Sequence, residues 1–340
     1  MKKGIVIIGL IIFNIVFLCA CDTLNTSIIR RDKFKVAYLN EKEVLDEVIL
    51  EKLKSNDTIN LNILEIESNS EDGEAFKRDF VKLVKNNDLI IVSGRKFQNV
   101  INDIASIYRN KKFIVFSDEI KESNVQNITF NFDEGGFLAG VLSGGVTKNN
   151  IGFIGFENKE GRGNENLIYG FIAGIKTLNE NAANKLLKDE NIKIINKNVS
   201  EAEYKDLAYK EAIKFYENGC DIILVDSINL TDEVLKAAKE NNKYVINMGN
   251  KLEDDNVLGS IIIKVYDILD ESITKLNEGK FKSGSNNIIS KGIKDDIVNI
   301  YINENIINKE NIEKVNYYRE RILNDNLYIP KIKEELYEFS

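Results

Sequence analysis

Apolar segments that suit buried strands alternate with segments of helical periodicity along most of this chain, and this order limits the possible folds more than any other feature. Continuous apolar runs, typical of strands buried on both faces, occur at 34–39, 89–92, 113–116, 151–156, 222–225 and 244–248, and a more alternating run occurs at 61–66. Helical patterns lie between them at 73–85, 98–108, 166–178, 201–217 and 231–240. Strands that alternate with helices predict right-handed βαβ units and a doubly wound parallel sheet.

The pattern of strands and helices occurs twice, with a break in the middle of the chain. A strand-like run at 127–132 leads into the turn DEGG at 133–136 and an apolar helix at 137–146. Two tandem sets predict an α/β fold of two doubly wound parallel-sheet lobes joined by a hinge, with the last part of the chain returning to complete both lobes. The predicted boundaries are 34–132 and 251–284 for the N-terminal lobe, 133–250 and 285–330 for the C-terminal lobe, and 331–340 for a C-terminal tail.

The first residues of the chain predict export and attachment to a membrane. Two lysines precede an uncharged apolar run at 4–17, which suits a signal-peptide core but is shorter than the roughly 20 residues of a membrane span. The run ends in LCAC at 18–21, which resembles a bacterial lipobox, so we expect a signal peptide at 1–20, a lipidated Cys21 and a tether at 21–33. A triacylated (palmitate-bearing) cysteine supplies the more than one acyl chain that stable anchoring needs. The alternative is an uncleaved anchor helix, which also ties the chain to a membrane.

Charge and residue types exclude several classes of function. A formal net charge of −8 at pH 7 argues against nucleic-acid binding and against a polybasic membrane patch. The chain has no histidine, which removes Ser-His-Asp and Cys-His catalysis and histidine metal sites. Once Cys19 leaves with the signal and Cys21 carries lipid, Cys220 remains, and it cannot form an intramolecular disulfide or a cysteine zinc cluster. We therefore expect no enzyme, no cofactor and no metal; carboxylate catalysis is the remaining alternative, and no motif supports it.

Several stretches of the sequence carry a family resemblance. They are FNFDEGGFLAG at 130–140, IGFIGF at 151–156, GFIAGI at 170–175, GCDIILV at 219–225 with YVIN at 244–247, and NLYIP at 326–330. Together they resemble the BMP (basic membrane protein) family of lipoproteins, which is related to purine-nucleoside receptors and has the type I periplasmic-binding-protein fold. The resemblance covers most of 34–331. Small residues in these motifs, such as Gly140 and Gly174, predict a helix face that packs closely on a sheet.

The resemblance implies a lipid-anchored substrate-binding protein of an ABC-type importer. Its two hinged lobes would close on a small polar solute, such as a purine nucleoside, and deliver it to an ABC transporter permease. The expected partners are the small-molecule ligand, the permease and a membrane reached through the lipid anchor, without nucleic acid. We expect a monomer in the cell envelope, either periplasmic or on the outer surface. The alternative is a surface-exposed lipoprotein that keeps the fold but binds an external macromolecular partner rather than a nucleoside.

Ligands of two-lobed α/β proteins lie between the lobes, at the carboxyl ends of the strands. This geometry predicts a ligand site formed by Asn40, Arg95, Asp118, Phe156, Asp226 and Asn250. Arg95 would bind a carboxylate or phosphate, with a solvated loop arginine as the alternative. Asp118 and Asp226 would accept hydrogen bonds from sugar hydroxyls or a purine amine, with helix N-capping as the alternative. Phe156 and Tyr204 would sandwich a planar ring, with core packing as the alternative for Phe156.

The positions that the resemblance assigns to the ligand differ from the family pattern. Residues 40–47 have neither the aromatic residue nor the Asn-Gln pair of the family's loop, and DSIN at 226–229 replaces a glycine-rich turn. The family's stacking aromatic falls near Tyr204. Its Asp after YVIN is replaced, which leaves Asn250 as the nearest polar residue. The lysine of the return crossing is kept as Lys264, one residue beyond the family spacing, and a one-residue shift turns a strand side chain to the other face.

Overall fold

A computed structural model of the chain describes residues 33–41, 47–66, 73–93, 98–116, 120–157, 164–188, 190–196, 199–284 and 287–339. The predicted signal peptide, the lipidation site Cys21 and nearly all of the tether lie outside these residues. In the part of the chain that is described, no helix is both long enough and apolar enough to cross a membrane.

The described strands form two sheets. In chain order they are β1 (Phe34–Glu41), β2 (Ile59–Ile66), β3 (Leu89–Ser93), β4 (Lys112–Val115), β5 (Val125–Phe130), β6 (Asn150–Phe156), β7 (Ile192–Ile195), β8 (Cys220–Val225), β9 (Tyr244–Gly249), β10 (Val257–Ile263), β11 (Ile289–Lys291) and β12 (Val298–Ile302). Each sheet has six strands, in the order β11-β5-β4-β3-β1-β2 in the first and β12-β10-β9-β8-β6-β7 in the second. Neighbouring strands are parallel, except that β12 is antiparallel to β10. The predicted fold of two parallel-sheet α/β lobes is confirmed.

Helices cover both faces of each sheet. In chain order they are α1 (Glu47–Ser55), α2 (Gly73–Asn86), α3 (Gln98–Ile107), α4 (Phe132–Val146), α5 (Glu165–Lys176), α6 (Glu180–Leu187), α7 (Glu201–Glu217), α8 (Ile228–Asn241), α9 (Val265–Asn277), α10 (Lys309–Leu323) and α11 (Lys333–Glu338). Along β3, Leu89 belongs to one apolar core and Ile90 to the core on the opposite face. Along β8, Ile222 and Ile223 divide between two cores in the same way. This burial on both faces is the reason for the continuous apolar runs in the sequence.

Two strands near the C-terminus lie in a different lobe from the predicted boundaries. The prediction placed 251–284 with the N-terminal lobe, but β10 pairs with β9 in the second sheet, whereas α9 and the residues that follow it up to Gly284 pack in the first lobe. The prediction placed 285–330 with the C-terminal lobe, but β11 pairs with β5 in the first sheet. The reason is that the short connection between β9 and β10 contains no helix, so β10 adds directly to the sheet that β9 has just left.

Helices α4 and α5 cross with their backbones in contact. A Cβ atom added at Gly140 would lie 2.1 Å from Phe171 O, and one added at Gly174 would lie 2.0 Å from Phe137 O. No side chain fits in these gaps, because protein interiors are close-packed. The small-residue face therefore packs on a helix, and its predicted packing on a sheet is wrong.

Asp133, in the first turn of α4, is almost completely buried. Its side chain is 4% exposed, and its Oδ2 lies 3.6 Å from Lys331 Nζ. The Oδ1 atom is buried and has no hydrogen-bond partner. Burial raises the pKa of Asp133, and Lys331 opposes this rise. The carboxylate is therefore held in an environment that favours its protonated form.

The C-terminal segment packs on the second lobe. Leu336 of α11 is buried, and the rings of Phe339 and Phe137 meet edge to face with centroids 6.1 Å apart. Lys176 Nζ, at the end of α5, donates to Leu336 O at 3.0 Å and to Phe339 O at 2.5 Å. A cation at the last carbonyls of a short helix satisfies acceptors that have no partner within the helix.

Substituting Gly140 by Ala should destabilise the protein by about 1–3 kcal/mol, because the new methyl group must push α4 away from the α5 backbone. Gly144→Ala, one turn later on the same helix, is the matched control. Its Cβ would lie 3.0 Å from Ile175 O, so the loss should be smaller. Urea unfolding of both variants tests this. If both variants had the same free energy of unfolding, the helix crossing would accommodate the methyl group at Gly140 without the expected loss of stability.

Substituting Asp133 by Asn should raise the free energy of unfolding at neutral pH, because the amide avoids the burial of a charge. Folding raises the pKa of Asp133, so the folded state binds this proton more tightly than the unfolded state does. Stability must then fall as pH rises from the ordinary Asp pKa through the raised pKa, and stay level above it. Urea unfolding across a pH series should show this slope in the wild type and not in Asp133→Asn. Asp232→Asn, at an exposed position, is the control and should keep the fall in stability with pH. If Asp133→Asn is less stable than the wild type at neutral pH, burial of the Asp133 charge does not destabilise the fold.

Candidate ligand cleft

The carboxyl edges of the two sheets are joined by three chain crossings. The chain passes from the end of β5 through Asn131 into α4, and from the end of β10 through Lys264 into α9. It crosses a third time between β11 and β12, over residues 292–297. Because the first two crossings leave from the carboxyl ends of parallel strands, the residues at both edges meet across one cleft beside the crossings.

Asn131 and Glu134 bond the first crossing and the start of α4 to the end of β11 and to the third crossing. The backbone N–H of Asn131 donates to Lys291 O at 2.8 Å. The Asn131 side chain accepts from Ser290 Oγ at 2.6 Å and donates to Glu134 Oε1 at 2.7 Å. The other oxygen of Glu134 accepts from the backbone N–H of Ile293 at 2.6 Å. These two side chains therefore connect both lobes.

Lys264 joins the second crossing to the third. Its backbone N–H donates to Ile297 O at 2.8 Å, and its Nζ lies 2.5 Å from Asp296 Oδ2. The hydrogen bond from Lys264 lowers the pKa of Asp296. Asp296 has a left-handed backbone, with φ 57°, in the tight turn before β12. The predicted ligand residue Lys264 is therefore engaged with the hinge in this structure.

At the edge of the second lobe, Asp226 and Phe156 lie side by side. Phe156 ends β6, and its backbone N–H donates to Asp226 Oδ1 at 3.1 Å. The carboxylate lies against Gly155, where an added Cβ would be 2.3 Å from Asp226 Oδ2. The N-cap of α8 is Ser227, whose Oγ accepts from Asn229 N, so helix capping does not explain Asp226.

Tyr204 also reaches this edge and contacts Phe156 directly. The two ring centroids are 5.0 Å apart, and the ring planes are at 88°. Tyr204 is 5% exposed and Phe156 is half-buried. The predicted sandwich needs a gap between parallel rings, whereas this pair is in edge-to-face contact. Phe156 and Tyr204 thus contact each other and form one aromatic unit that offers a single surface.

Asn250 lies at the end of β9, with an exposed side chain. Its backbone oxygen accepts from the buried Asn247 Nδ2 at 2.8 Å, and Asn247 Oδ1 accepts from Ser260 Oγ at 2.7 Å. Ser260 Oγ also accepts from the N–H of Leu252 at 3.2 Å. These hydrogen bonds hold the turn after β9 in place, so that the backbone of Asn250 stays at the carboxyl edge.

Sequence reasoning missed Ile228, the first residue of α8. This side chain is 46% exposed, although it is apolar and lies at the carboxyl edge. It covers Gly249, where an added Cβ would lie 2.3 Å from Ile228 Cγ1, and where φ is +125°. The residues around Ile228 in DSIN are polar, so the sequence did not indicate an apolar surface at this point. An apolar residue that directly follows a helix cap and a strand end was the available signal.

A row of three phenylalanines at the edge of the first lobe was also missed. The rings of Phe116 and Phe130 stack with centroids 5.8 Å apart, and the centroids of Phe130 and Phe132 are 5.6 Å apart. All three are half-buried, at the end of β4, the end of β5 and the start of α4. Their position directly after apolar strand runs was the sequence signal. Both edges of the cleft thus carry aromatic or apolar surface.

The structure does not describe the side chains of three predicted ligand residues. Arg95 and Asp118 lie outside the described residues. The backbone of Asn40 pairs with Ser93 and Glu65, which places it at the carboxyl end of β1, but its side chain is not among the described parts. The ligand roles of these residues stay predictions.

The described residues contain no group of three or more His, Cys, Asp or Glu placed to hold a metal ion. Cys220 begins β8, at the edge of the sheet opposite the cleft, and is buried. Burial raises the pKa of its thiol to about 12. This thiol is therefore protonated at neutral pH and is a poor nucleophile.

Comparison with known proteins assigns the family. A family model described as ABC transporter substrate-binding protein PnrA-like (Bmp) matches residues 46–333. Basic membrane protein A of Borreliella afzelii is 27% identical over 305 residues, which cover 85% of this chain and 87% of the relative. The CD4+ T-cell-stimulating antigen of Listeria innocua is 26% identical over 265 residues, which cover 72% of this chain and 70% of the relative.

Solved structures share the fold at low sequence identity. An ABC transporter solute-binding protein from Aeropyrum pernix K1 superposes with a TM-score of 0.68 at 12% identity, covering 90% of this chain and 96% of that chain. A transcriptional activator of the comK gene from Bacillus halodurans gives a TM-score of 0.65 at 16% identity, covering 86% and 99%. The type I periplasmic-binding-protein-like architecture is thus shared with ABC solute-binding proteins. With its two hinged sheets and a family match from residue 46 to residue 333, the chain belongs to the Bmp family of PnrA-like ABC transporter substrate-binding proteins.

Proposed function

We propose that this protein captures a small polar solute in the cleft and delivers it to the permease of an ABC importer. The observation that carries the proposal is the set of three crossings, hydrogen-bonded to one another beside both carboxyl edges. Such a hinge lets two lobes close on a ligand while the sheets stay intact. The role follows from the family, in which the substrate-binding component works with a transporter. We further propose that the chain acts as a non-catalytic monomer.

The surfaces at the two edges support a ligand with a planar ring and hydroxyl groups, such as a purine nucleoside. The second lobe offers Ile228 and the Phe156–Tyr204 pair as ring contacts, and the first lobe offers the row that includes Phe130. Asp226 is placed beside the aromatic pair, where a carboxylate can accept hydrogen bonds from sugar hydroxyls. Aromatic contacts contribute about 0.5–1.5 kcal/mol beyond their buried area, so this arrangement suits a ring better than a simple sugar.

We also propose that the mature chain is held at the cell envelope by lipid on Cys21. The signal-like run before this residue and its lipobox support this placement.

Exposed aromatic residues on the second lobe favour a second function, binding of a macromolecular partner outside the cell. Tyr317, Tyr328 and Tyr337 are 59%, 63% and 66% exposed, and Ile332 is 50% exposed. Tyrosine is enriched at protein interfaces because it combines apolar area with a hydrogen-bonding group. This function would use the outer face of the second lobe and would not require a ligand in the cleft.

Calorimetric and thermal-shift titration with a nucleoside panel tests the first function. A purine nucleoside at 100 times its Kd should stabilise the protein by about 2.7 kcal/mol. Asp226→Asn should weaken binding about tenfold or more, because it removes a charged acceptor. The control is Asp255→Asn, an exposed residue in the turn before β10 at the opposite edge. If no nucleoside binds but a sugar or amino acid does, the nucleoside class is wrong; if no small solute binds, cleft capture itself is refuted.

Fractionation of cells that express Cys21→Ser tests the anchor. We expect the variant to move from the membrane fraction to the soluble fraction and to lose palmitate labelling, because the lipid is the only proposed attachment. An uncleaved anchor helix predicts the opposite, namely that the variant stays in the membrane. Protease treatment of intact cells then distinguishes outer-surface from periplasmic placement.

A further inference from the structure

A cavity of about 410 Å³ lies between the edge strand β12 and helix α10. It is lined by Ile300 from the strand, Glu304 from the turn after it, and Ile312, Asn316 and Arg319 from α10. The spacing of the three helical residues places them on one face of α10. Small-molecule sites commonly have volumes of about 300–1,000 Å³, so the cavity is large enough for an organic ligand.

This cavity is separate from the cleft. β12 runs antiparallel to β10, so its first residue, Val298, lies beside the hinge and its last residue, Ile302, lies at the far edge of the second sheet. The cavity is at that far end, next to Glu304. None of the residues predicted or observed at the cleft lines it.

The side chain of Arg319 is a half-buried cation. Its Nη1 donates to Asn316 Oδ1 at 2.8 Å, and its Nη2 donates to Ile300 O at 3.1 Å. Its Nε is buried and has no hydrogen-bond partner. No carboxylate of the described residues forms an ion pair with it within 4.0 Å. Burial lowers the pKa of Arg319, opposed by the negative charge of Glu320. A half-buried charge that no carboxylate of the described residues pairs with has lost part of its hydration without compensation, and an anion in the cavity would supply that compensation.

The strand edge beside the cavity is already occupied, which excludes an extended peptide at this point. The backbone N–H of Ile300 donates to Asn299 Oδ1 at 2.9 Å, and the backbone oxygen of Ile300 accepts from Arg319. An added strand would need both groups. The cavity therefore does not suit an added strand, whereas its volume suits a small molecule.

The charges around the cavity select among anions. Arg319 is the cation among the lining residues, and Glu304 adds a negative charge at the exposed rim. A doubly charged phosphate would meet one cation and be repelled by one carboxylate, whereas a single carboxylate matches the planar guanidinium. We propose that this cavity is a second ligand site, which binds a small monocarboxylate through Arg319.

Titration of the full-length chain in detergent with acetate, isobutyrate and benzoate tests the site. Calorimetry gives the affinity, and ¹⁵N-arginine labelling follows the Arg319 Nε–H signal, which should shift on binding. Neutral isobutyramide, which has the same shape as isobutyrate, should not bind, and inorganic phosphate should bind more weakly. Arg319→Gln should lower carboxylate affinity about tenfold or more, since a charged hydrogen bond is lost.

Arg321→Gln is the matched control on the same helix. Arg321 donates to Asn326 O and lies over the ring of Tyr317, outside the cavity, so this variant should bind as the wild type does. If Arg319→Gln fails to fold, Ile312→Phe fills the cavity while keeping the arginine and should also abolish binding. The proposal is overturned if none of the three carboxylates binds, if phosphate binds more tightly than they do, or if Ile312→Phe binds them unchanged.

Discussion

Asn131 holds the hinge together, and the geometry of both cleft edges depends on it. Its backbone N–H and its side chain bond to Lys291 and Ser290 at the end of β11, directly before the third crossing, while Glu134 accepts from the N–H of Ile293 on that crossing. A neutral hydrogen bond contributes about 0.5–1.5 kcal/mol net to stability, and one to a charged group contributes about 1.5–3 kcal/mol. Few bonds are involved, so they stabilise the hinge by a modest free energy. With Lys264 bonded to Ile297, the three crossings behave as one short unit, and the carboxyl edges of the two sheets are oriented by that unit.

The fold was predictable where a strand is buried on both faces, and less so where it is not. The run 89–92 became β3 because each of its side chains is enclosed by one of two cores. In contrast, β11 contains Ser290 and Lys291, has no fully buried residue, and exists because it pairs with β5 at the end of the sheet. Such a strand leaves a weak hydrophobic signal. The lobe to which β10 belongs was likewise set by the length of a connection, which carries no residue-level pattern.

The placement of the candidate residues at the edge of the second lobe was predictable, but their contacts were not. The rule that ligands lie at the ends of strands placed Phe156 and Asp226 at one edge, and they are neighbours there. Ring orientation depends on packing from all sides, so the edge-to-face contact with Tyr204 had no signature in the sequence. Ile228 was missed for a related reason, since exposure of an apolar residue is a property of the assembled surface.

The contacts that maintain the fold and those that would recognise a ligand differ in how far they tolerate substitution. At Gly140 and Gly174 any side chain meets backbone atoms of the partner helix, so a change there moves whole helices. At the cleft the backbone of Asn250 is held from below by Asn247 and Ser260, so its exposed side chain can change without disturbing the fold. This difference allows a chain that is 27% identical to a basic membrane protein to keep the scaffold while side chains exposed at the cleft change. Membership in the family therefore establishes the scaffold and the hinge, and the chemistry of the ligand has to be argued from side chains such as Ile228 and Asp226.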